Sequence, residues 1–151
     1  MIEYQFTAIN LHSPKSIIPQ KGASLRDWIL VILGIPMLAI GIDIGGTNTK
    51  AGLVDLSSGY VTDSYVVSTE KKDPLEFITS LTGMIGQLRK KLKEKESELR
   101  GVGVGVSSFV TSEGVVDSTY GFQEFMEDYP LVTLVEEQCN LPCRADNDAR
   151  V

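Results

Sequence analysis

The chain has 151 residues, 42% of them hydrophobic and 23% charged, which is enough for one globular domain with a packed core. Its formal net charge of −6 argues against nucleic-acid binding. Its two cysteines, Cys139 and Cys143, are too few for a disulfide framework or for a four-ligand zinc site, so we expect reduced thiols in the core of a cytoplasmic protein.

The first 36 residues are interpreted as a leader of unclear structure, consistent with an over-extended start, because they show no clean periodicity and Met37 stands directly before the first strand pattern. An uncharged run begins inside this leader at Trp28 and ends beyond it at Ile42. It is shorter than the ~20 residues that a membrane-spanning helix needs, and Pro36 interrupts it. We therefore predict no association with a membrane.

Three apolar runs with short turns between them predict an antiparallel meander. The runs are Met37–Gly46, Thr49–Leu56 and Tyr60–Thr69. The first ends in a Gly-Gly turn and the second in a Ser-Ser-Gly turn, both typical of connections between strands.

The hydrophobic period then changes to that of a helix over Asp73–Lys95. Asp73 is a good N-cap, and Glu76 is placed to complete a capping box with it. Gly83 and Gly86 weaken this helix, and we expect them to allow close packing on the sheet.

Strand and helix patterns alternate through the rest of the chain, over Leu99–Ser108, Glu113–Phe122, Tyr129–Cys139 and Leu141–Asp148. In the first of these segments valine alternates with glycine, which usually marks a close approach of the backbone. The whole order predicts an α/β fold with a mixed β-sheet flanked by helices. In such sheets ligands collect beyond the carboxyl ends of the strands.

The tip of the first hairpin carries the residue types of a phosphate site. A tight turn exposes backbone N–H groups, and glycine lets phosphate oxygens come close to them. A carboxylate beside such a turn makes sense when Mg²⁺ or its water shell lies between it and the phosphate. The candidate residues are Asp43 for the metal and Gly45, Gly46, Thr47, Asn48 and Lys50 for the phosphates. A plain hairpin turn with Asp43 as a turn former is the alternative.

A second polar cluster, Asp146-Asn147-Asp148, follows the last strand pattern. A carboxylate at a strand end can take a proton from an alcohol as the alcohol attacks phosphorus. Asn147 can hold a neighbouring hydroxyl as donor and acceptor. A turn or a helix cap is again the alternative.

The chain carries three segments in a fixed order: IGIDIGGTNTKAGLVD, GVGVGVSSFVTSEGVV and LPCRADNDAR. Together they resemble the first domain of ROK-family proteins, which are sugar kinases and related repressors of the ribonuclease-H-like, actin-like ATPase superfold. The resemblance covers Met37–Val151 and implies ATP and Mg²⁺ as cofactors and a sugar as substrate.

The resemblance also implies individual roles. Asp148 would be the general base toward a sugar hydroxyl, Asn147 and Asp148 would bind the sugar, and Asp43 would lie by the metal. The family usually has Pro-Gly-Pro where this chain has Ser107-Ser108-Phe109, so Ser108 would lie against the sugar and alter the pocket.

Two further departures concern the sugar loop and the length. The chain offers Tyr120 and Phe122 where the family often shows an Asn and a Trp. Family members continue for about another domain's length. The resemblance therefore implies the N-terminal part of an ATP-dependent hexose kinase, truncated before its second domain and with little or no activity as this fragment.

Two other functions are left open. One is a non-catalytic, sugar-sensing ROK regulator, and the other is a degenerate remnant that survives through self-association as a homo-oligomer. A DNA-binding repressor would need a basic winged-helix domain in front. Residues 1–36, with three basic and two acidic residues for a net charge of +1, are too few for that domain.

Overall fold

The computed structural model describes residues 34, 37–93, 98–118 and 124–148. Over these residues it contains seven strands and two α-helices: β1 (Met37–Ile44), β2 (Asn48–Asp55), β3 (Val61–Ser68), α1 (Pro74–Lys93), β4 (Glu98–Val106), β5 (Phe109–Val110), β6 (Val116–Asp117), α2 (Leu131–Cys139) and β7 (Cys143–Asn147), with a 3-10 turn at Glu124–Met126 before α2. The predicted leader over residues 1–36, apart from Gly34, lies outside this part of the chain, as do Tyr120 and Phe122.

The five long strands form one mixed sheet in the order β3-β2-β1-β4-β7. The meander is confirmed, because β2 is antiparallel to both β1 and β3. Strand β4 is parallel to β1 and to β7, so each of these pairs is joined by a crossover. The short strands β5 and β6 form a separate antiparallel pair. The predicted α/β class with a mixed sheet is therefore correct.

One face of the sheet carries the core. Ile40, Ile42 and Ile44 alternate along β1 and are fully or almost fully buried. They form one cluster with the apolar sides of α1 and α2, such as Leu81 and Val135. The period-2 pattern of the strand and the 3.6-residue pattern of the helices thus meet in a single packed layer.

Helix α1 begins where its cap predicts. Asp73 Oδ1 accepts the N–H groups of Leu75 at 2.7 Å and Glu76 at 3.0 Å, which confirms Asp73 as the N-cap. The N–H of Asp73 donates to Oε1 of Glu70 at 3.3 Å. Glu70 therefore fills the role that the capping box gave to Glu76.

The two helical glycines do not serve close packing, so that expectation was wrong. A Cβ added at Gly83 or Gly86 would meet no atom within 4 Å. A Cβ at Gly101 on β4, by contrast, would lie 2.7 Å from the carbonyl oxygen of Pro142. The close approach expected of the Val-Gly strand is thus present at Gly101.

Gly83→Ala is expected to raise the free energy of unfolding by up to ~1 kcal/mol, because alanine is the better helix former and its methyl group fits. Gly101→Ala is expected to lower it by ~1–3 kcal/mol, because the methyl group forces two backbones apart. Urea unfolding of both variants checks the contrast. A loss of stability in Gly83→Ala would contradict the open space found beside Gly83.

Cys139 and Cys143 are buried free thiols, as expected. Burial raises the pKa of Cys143 to about 12, and the nearby Glu136 carboxylate and Cys139 act in the same direction. Burial also raises the pKa of Cys139, while the Arg89 guanidinium opposes that shift. Both thiols therefore stay protonated in the folded chain well above neutral pH.

Above the ordinary thiol pKa of 9.0 the unfolded chain releases the Cys143 proton while the folded chain keeps it up to about pH 12. The folded state then binds more protons, so stability falls as pH rises through this window, by at most about 1.4 kcal/mol per pH unit. Urea unfolding between pH 8 and 10.5 should show a shallower fall in Cys143→Ala than in the wild type. Equal slopes would contradict the shifted pKa, because all other titrating groups are common to both proteins.

In the described segments, no helix combines the length and the hydropathy that crossing a membrane requires.

Candidate active site

The predicted site residues come together at one edge of the sheet. Asp43 on β1 pairs with Gly105 on β4, which in turn pairs with Asp146 on β7. Asn147 ends β7, and Asp148 follows it. Since adjacent strands lie ~4.8 Å apart, Asp43 and the end of β7 are separated by two strand spacings, or about 10 Å.

The Gly45-Gly46-Thr47 turn joins β1 to β2 at this edge. The N–H of Gly45 donates to the carbonyl of Asn48 at 3.0 Å and closes the hairpin. A Cβ at Gly45 would lie 2.9 Å from that same carbonyl oxygen, so the turn needs glycine there. Gly46, Thr47 and Asn48 are exposed, which leaves the outer side of the turn open to an anion.

Asp43 and Lys50 face each other across the first hairpin. They are directly paired in the β1–β2 register, and Lys50 Nζ lies 3.7 Å from Asp43 Oδ2. Their side chains are 28% and 33% exposed, so both reach solvent. The structure thus places Lys50 against the candidate metal carboxylate as well as beside the Gly45–Thr47 turn.

Asp43 fits the type of magnesium site in which the protein supplies only one or two ligands. No group of three or more metal-ligating side chains exists among residues 37–93, 98–118 and 124–148. Mg²⁺ commonly keeps several waters and takes one or two carboxylates together with substrate phosphates. A single, partly exposed carboxylate next to an open anion turn matches that donor set.

Asp148 is tied to the end of β4. Its N–H donates to the carbonyl of Val106 at 3.1 Å, and its Oδ2 accepts a short hydrogen bond from the hydroxyl of Ser107. Asn147 is anchored nearby, because its Nδ2 donates to the carbonyl of Ser108 at 2.8 Å. The carboxylate predicted as the base therefore has a fixed backbone and a fixed side-chain partner.

Ser108 also lies at this edge and connects it to the small hairpin. Its hydroxyl donates to the carbonyl of Asp117 on β6 at 2.7 Å. That bond uses the hydroxyl proton, so a ligand would meet the Ser108 oxygen as an acceptor.

Sequence reasoning missed two residues that shape the site, Ser107 and Thr69. A signal for Ser107 existed, since a serine in place of the family's proline adds a hydroxyl donor beside the expected sugar site. Thr69 gave no local signal, because its partners at Gly45 and Thr47 lie more than 20 positions earlier in the chain.

A cavity of about 660 Å³ borders this edge without containing its reactive groups. Its lining includes Gly101, Gly103 and Gly105 of β4 with Arg144 and Asp146 of β7. It runs along the two strands, and neither Asp43 nor Asp148 lines it. The candidate chemistry is therefore at the strand ends, beside this cavity.

This sheet order, with a glycine turn after β1 and a carboxylate after β7, defines a domain of the actin-like ATPase superfold. The ROK family model matches residues 39–151, and the chain belongs to the ROK family.

Two relatives of the chain are named as sugar kinases. A glucokinase of Halalkalibacterium halodurans is 30% identical over 116 residues, which cover 74% of this chain and 34% of that protein. An N-acetylmannosamine kinase of Vibrio cholerae serotype O1 is 27% identical over 114 residues, covering 76% of this chain and 37% of that protein. The chain thus spans about a third of the length of these relatives.

A solved structure of a ROK-family protein is similar in fold. The ROK glucokinase of Streptomyces griseus, in complex with glucose and AMPPNP, matches with a TM-score of 0.61 at 25% identity. The match covers 74% of this chain and 33% of the glucokinase.

Ser107→Ala removes the hydroxyl that donates to Asp148. We expect the Asp148 side chain to change from one rotamer to a mixture, because only its backbone bond to Val106 remains. Three-bond NMR couplings across the Asp148 Cα–Cβ bond measure this, and Ser107→Thr, which keeps the hydroxyl, should retain the wild-type couplings. Unchanged couplings in Ser107→Ala would show that Ser107 does not orient the carboxylate.

Proposed function

We propose that the chain is the N-terminal part of an ATP-dependent sugar kinase, which transfers the γ-phosphoryl group of ATP to a sugar hydroxyl. The observation that carries this proposal is the placement of Asp148, held by Ser107 and Val106, on the same sheet edge as the Gly45–Thr47 turn. The glucokinase and N-acetylmannosamine kinase relatives support a hexose-type substrate.

In this proposal Asp148 accepts the proton of the sugar hydroxyl as that oxygen attacks the γ-phosphorus. Its bonds to Ser107 and to Val106 keep the carboxylate in position, which matters because phosphoryl transfer depends mainly on alignment and charge. Asn147, anchored on the Ser108 carbonyl, binds a neighbouring sugar hydroxyl. Ser108 lies against the sugar and contributes an acceptor oxygen.

At the other end of the site the N–H groups of the Gly45–Thr47 turn, with Asn48 and Lys50, bind the phosphates of ATP. Asp43 would hold Mg²⁺, which neutralises charge on the phosphate oxygens when bound. The AMPPNP in the Streptomyces griseus glucokinase supports ATP as the donor. In the absence of the metal, Lys50 balances the charge of Asp43.

We expect little or no kinase activity from these 151 residues by themselves. Phosphoryl transfer requires both substrates to be fixed relative to each other. The family resemblance assigns the adenosine site and further sugar contacts to a second domain. The phosphate turn would have no opposing wall without it, so nucleotide affinity should be poor.

Glucose binding by the whole chain, followed through the amide signals of Asn147 and Asp148, tests the sugar half of the site. Asp148→Asn should weaken binding by ~10–100-fold, because a charge-assisted hydrogen bond to a sugar hydroxyl is lost. Asp146→Asn is the matched control, since it makes the same change on an exposed side chain two residues away. Equal losses in both variants would argue against a specific role of Asp148.

The same pair of variants separates catalysis from binding in a fusion of the chain with the second domain of a ROK glucokinase. Asp148→Asn should lower turnover with MgATP by ~10²–10⁴-fold, because it removes the base, while Asp146→Asn should stay near the parent value. Unchanged turnover in Asp148→Asn would reject Asp148 as the base. A fusion that binds sugar but never transfers phosphate would favour the sugar-sensing alternative.

A further inference from the structure

Two buried threonines lie next to the Gly45–Thr47 turn. Thr49 on β2 and Thr69, the residue after β3, are only 3% and 8% exposed. Their hydroxyl oxygens are 3.0 Å apart. Both side chains are thus almost entirely shielded from solvent.

Thr69 bonds to the turn at two points. Its hydroxyl donates to the carbonyl of Gly45 at 2.7 Å, and its N–H donates to the carbonyl of Thr47 at 2.9 Å. Because the Thr69 proton is used on Gly45, the Thr49 hydroxyl must be the donor between the two threonines. The chain of bonds therefore runs in one direction, from Thr49 through Thr69 to Gly45.

These two bonds fix the orientation of two peptide planes. Peptide bonds in the described residues are trans, so the carbonyl of one residue and the N–H of the next point in opposite directions. With the Gly45 carbonyl held toward Thr69, the N–H of Gly46 points away from Thr69. With the Thr47 carbonyl held in the same way, the N–H of Asn48 also points away.

We infer that Thr69 is a positioning residue for phosphate binding, acting through the direction of the Gly46 and Asn48 N–H groups. This inference rests on the proposed phosphate role of the turn. Glycine gives the turn close access for phosphate oxygens but also leaves it conformationally free. The Thr69 bonds remove that freedom before a ligand arrives, which lowers the entropy cost of binding.

Thr69→Val tests the first step in the free chain, since it deletes the hydroxyl and keeps the branched shape and the backbone N–H. Backbone ¹⁵N order parameters are the measurement. In Thr69→Val the order parameter of the Gly46 amide should fall from a rigid value of ~0.85 toward ~0.6. In Thr69→Ser the same order parameter should keep its rigid value. The Asn48 amide is an internal control, because the Thr69 N–H still holds the Thr47 carbonyl in every variant.

A thermal unfolding curve checks that each variant folds. If the lone Thr49 hydroxyl destabilises Thr69→Val, the double variant Thr49→Val/Thr69→Val removes both hydroxyls and keeps the comparison. A Gly46 amide that stays as rigid as in the wild type would overturn the inference.

Titration with the magnesium complex of ADP, followed at the Gly46 and Thr47 amides, tests the second step. Thr69→Val should raise Kd by about tenfold, and Thr69→Ser should restore wild-type affinity. Equal affinity in Thr69→Val would overturn the inference and leave the proposed function standing. Because affinity in the free chain is expected to be weak, the titration extends to millimolar ADP; a wild-type chain whose Gly46 and Thr47 amides do not shift even there would overturn both.

Discussion

The parallel pairing of β4 with β1 and with β7 is the constraint on which the rest of the site depends. Parallel strands end at the same edge of a sheet, and here that edge receives Asp43, Ser107 and Asp148 from three separate parts of the chain. Antiparallel pairing of β2 then returns the chain beside β1 and places the glycine turn at the same edge. Residues 43 and 148 come to the same edge of the sheet only through this topology.

The two sides of β4 carry different residue types. Valines of β4 such as Val104 and Val106 join the isoleucines of β1 in the core, where burial of apolar area stabilises the layer against the helices. Glycines alternate with these valines and leave the other side of β4 almost without side chains. One of them, Gly101, is fixed by a close backbone contact with Pro142. The apolar burial of β4 thus comes from its valines.

Hydrogen bonds between distant parts of the chain hold the candidate site residues. Ser107 and the Val106 carbonyl hold Asp148, and Thr69 holds both ends of the glycine turn. Val106, Ser107 and Thr69 each lie at or directly after the end of a neighbouring strand, so the sheet itself orients the site. Groups held in this way need little movement of their own when a ligand binds, which lowers the cost of ordering them.

The local elements and the residue types of the site could be predicted from the amino-acid pattern. Strand alternation, the helical period from residue 74 onward and the Asp73 cap depend on neighbours within a few positions, and the structure agrees with them. The turn and the carboxylate were also visible, because glycines and an Asp-Asn-Asp cluster at strand ends interrupt otherwise apolar patterns. The ROK resemblance then fixed the family.

Which distant groups meet became visible only in the folded chain. Thr69 bonds to Gly45 across 24 positions and Ser107 bonds to Asp148 across 41, and no local pattern encodes such pairs. The same limit explains the error at Gly83 and Gly86, since helical spacing gives the side that faces the sheet but not how closely a neighbour approaches. Long-range contacts follow from the register of the whole sheet, and that register is set by burial of one entire face.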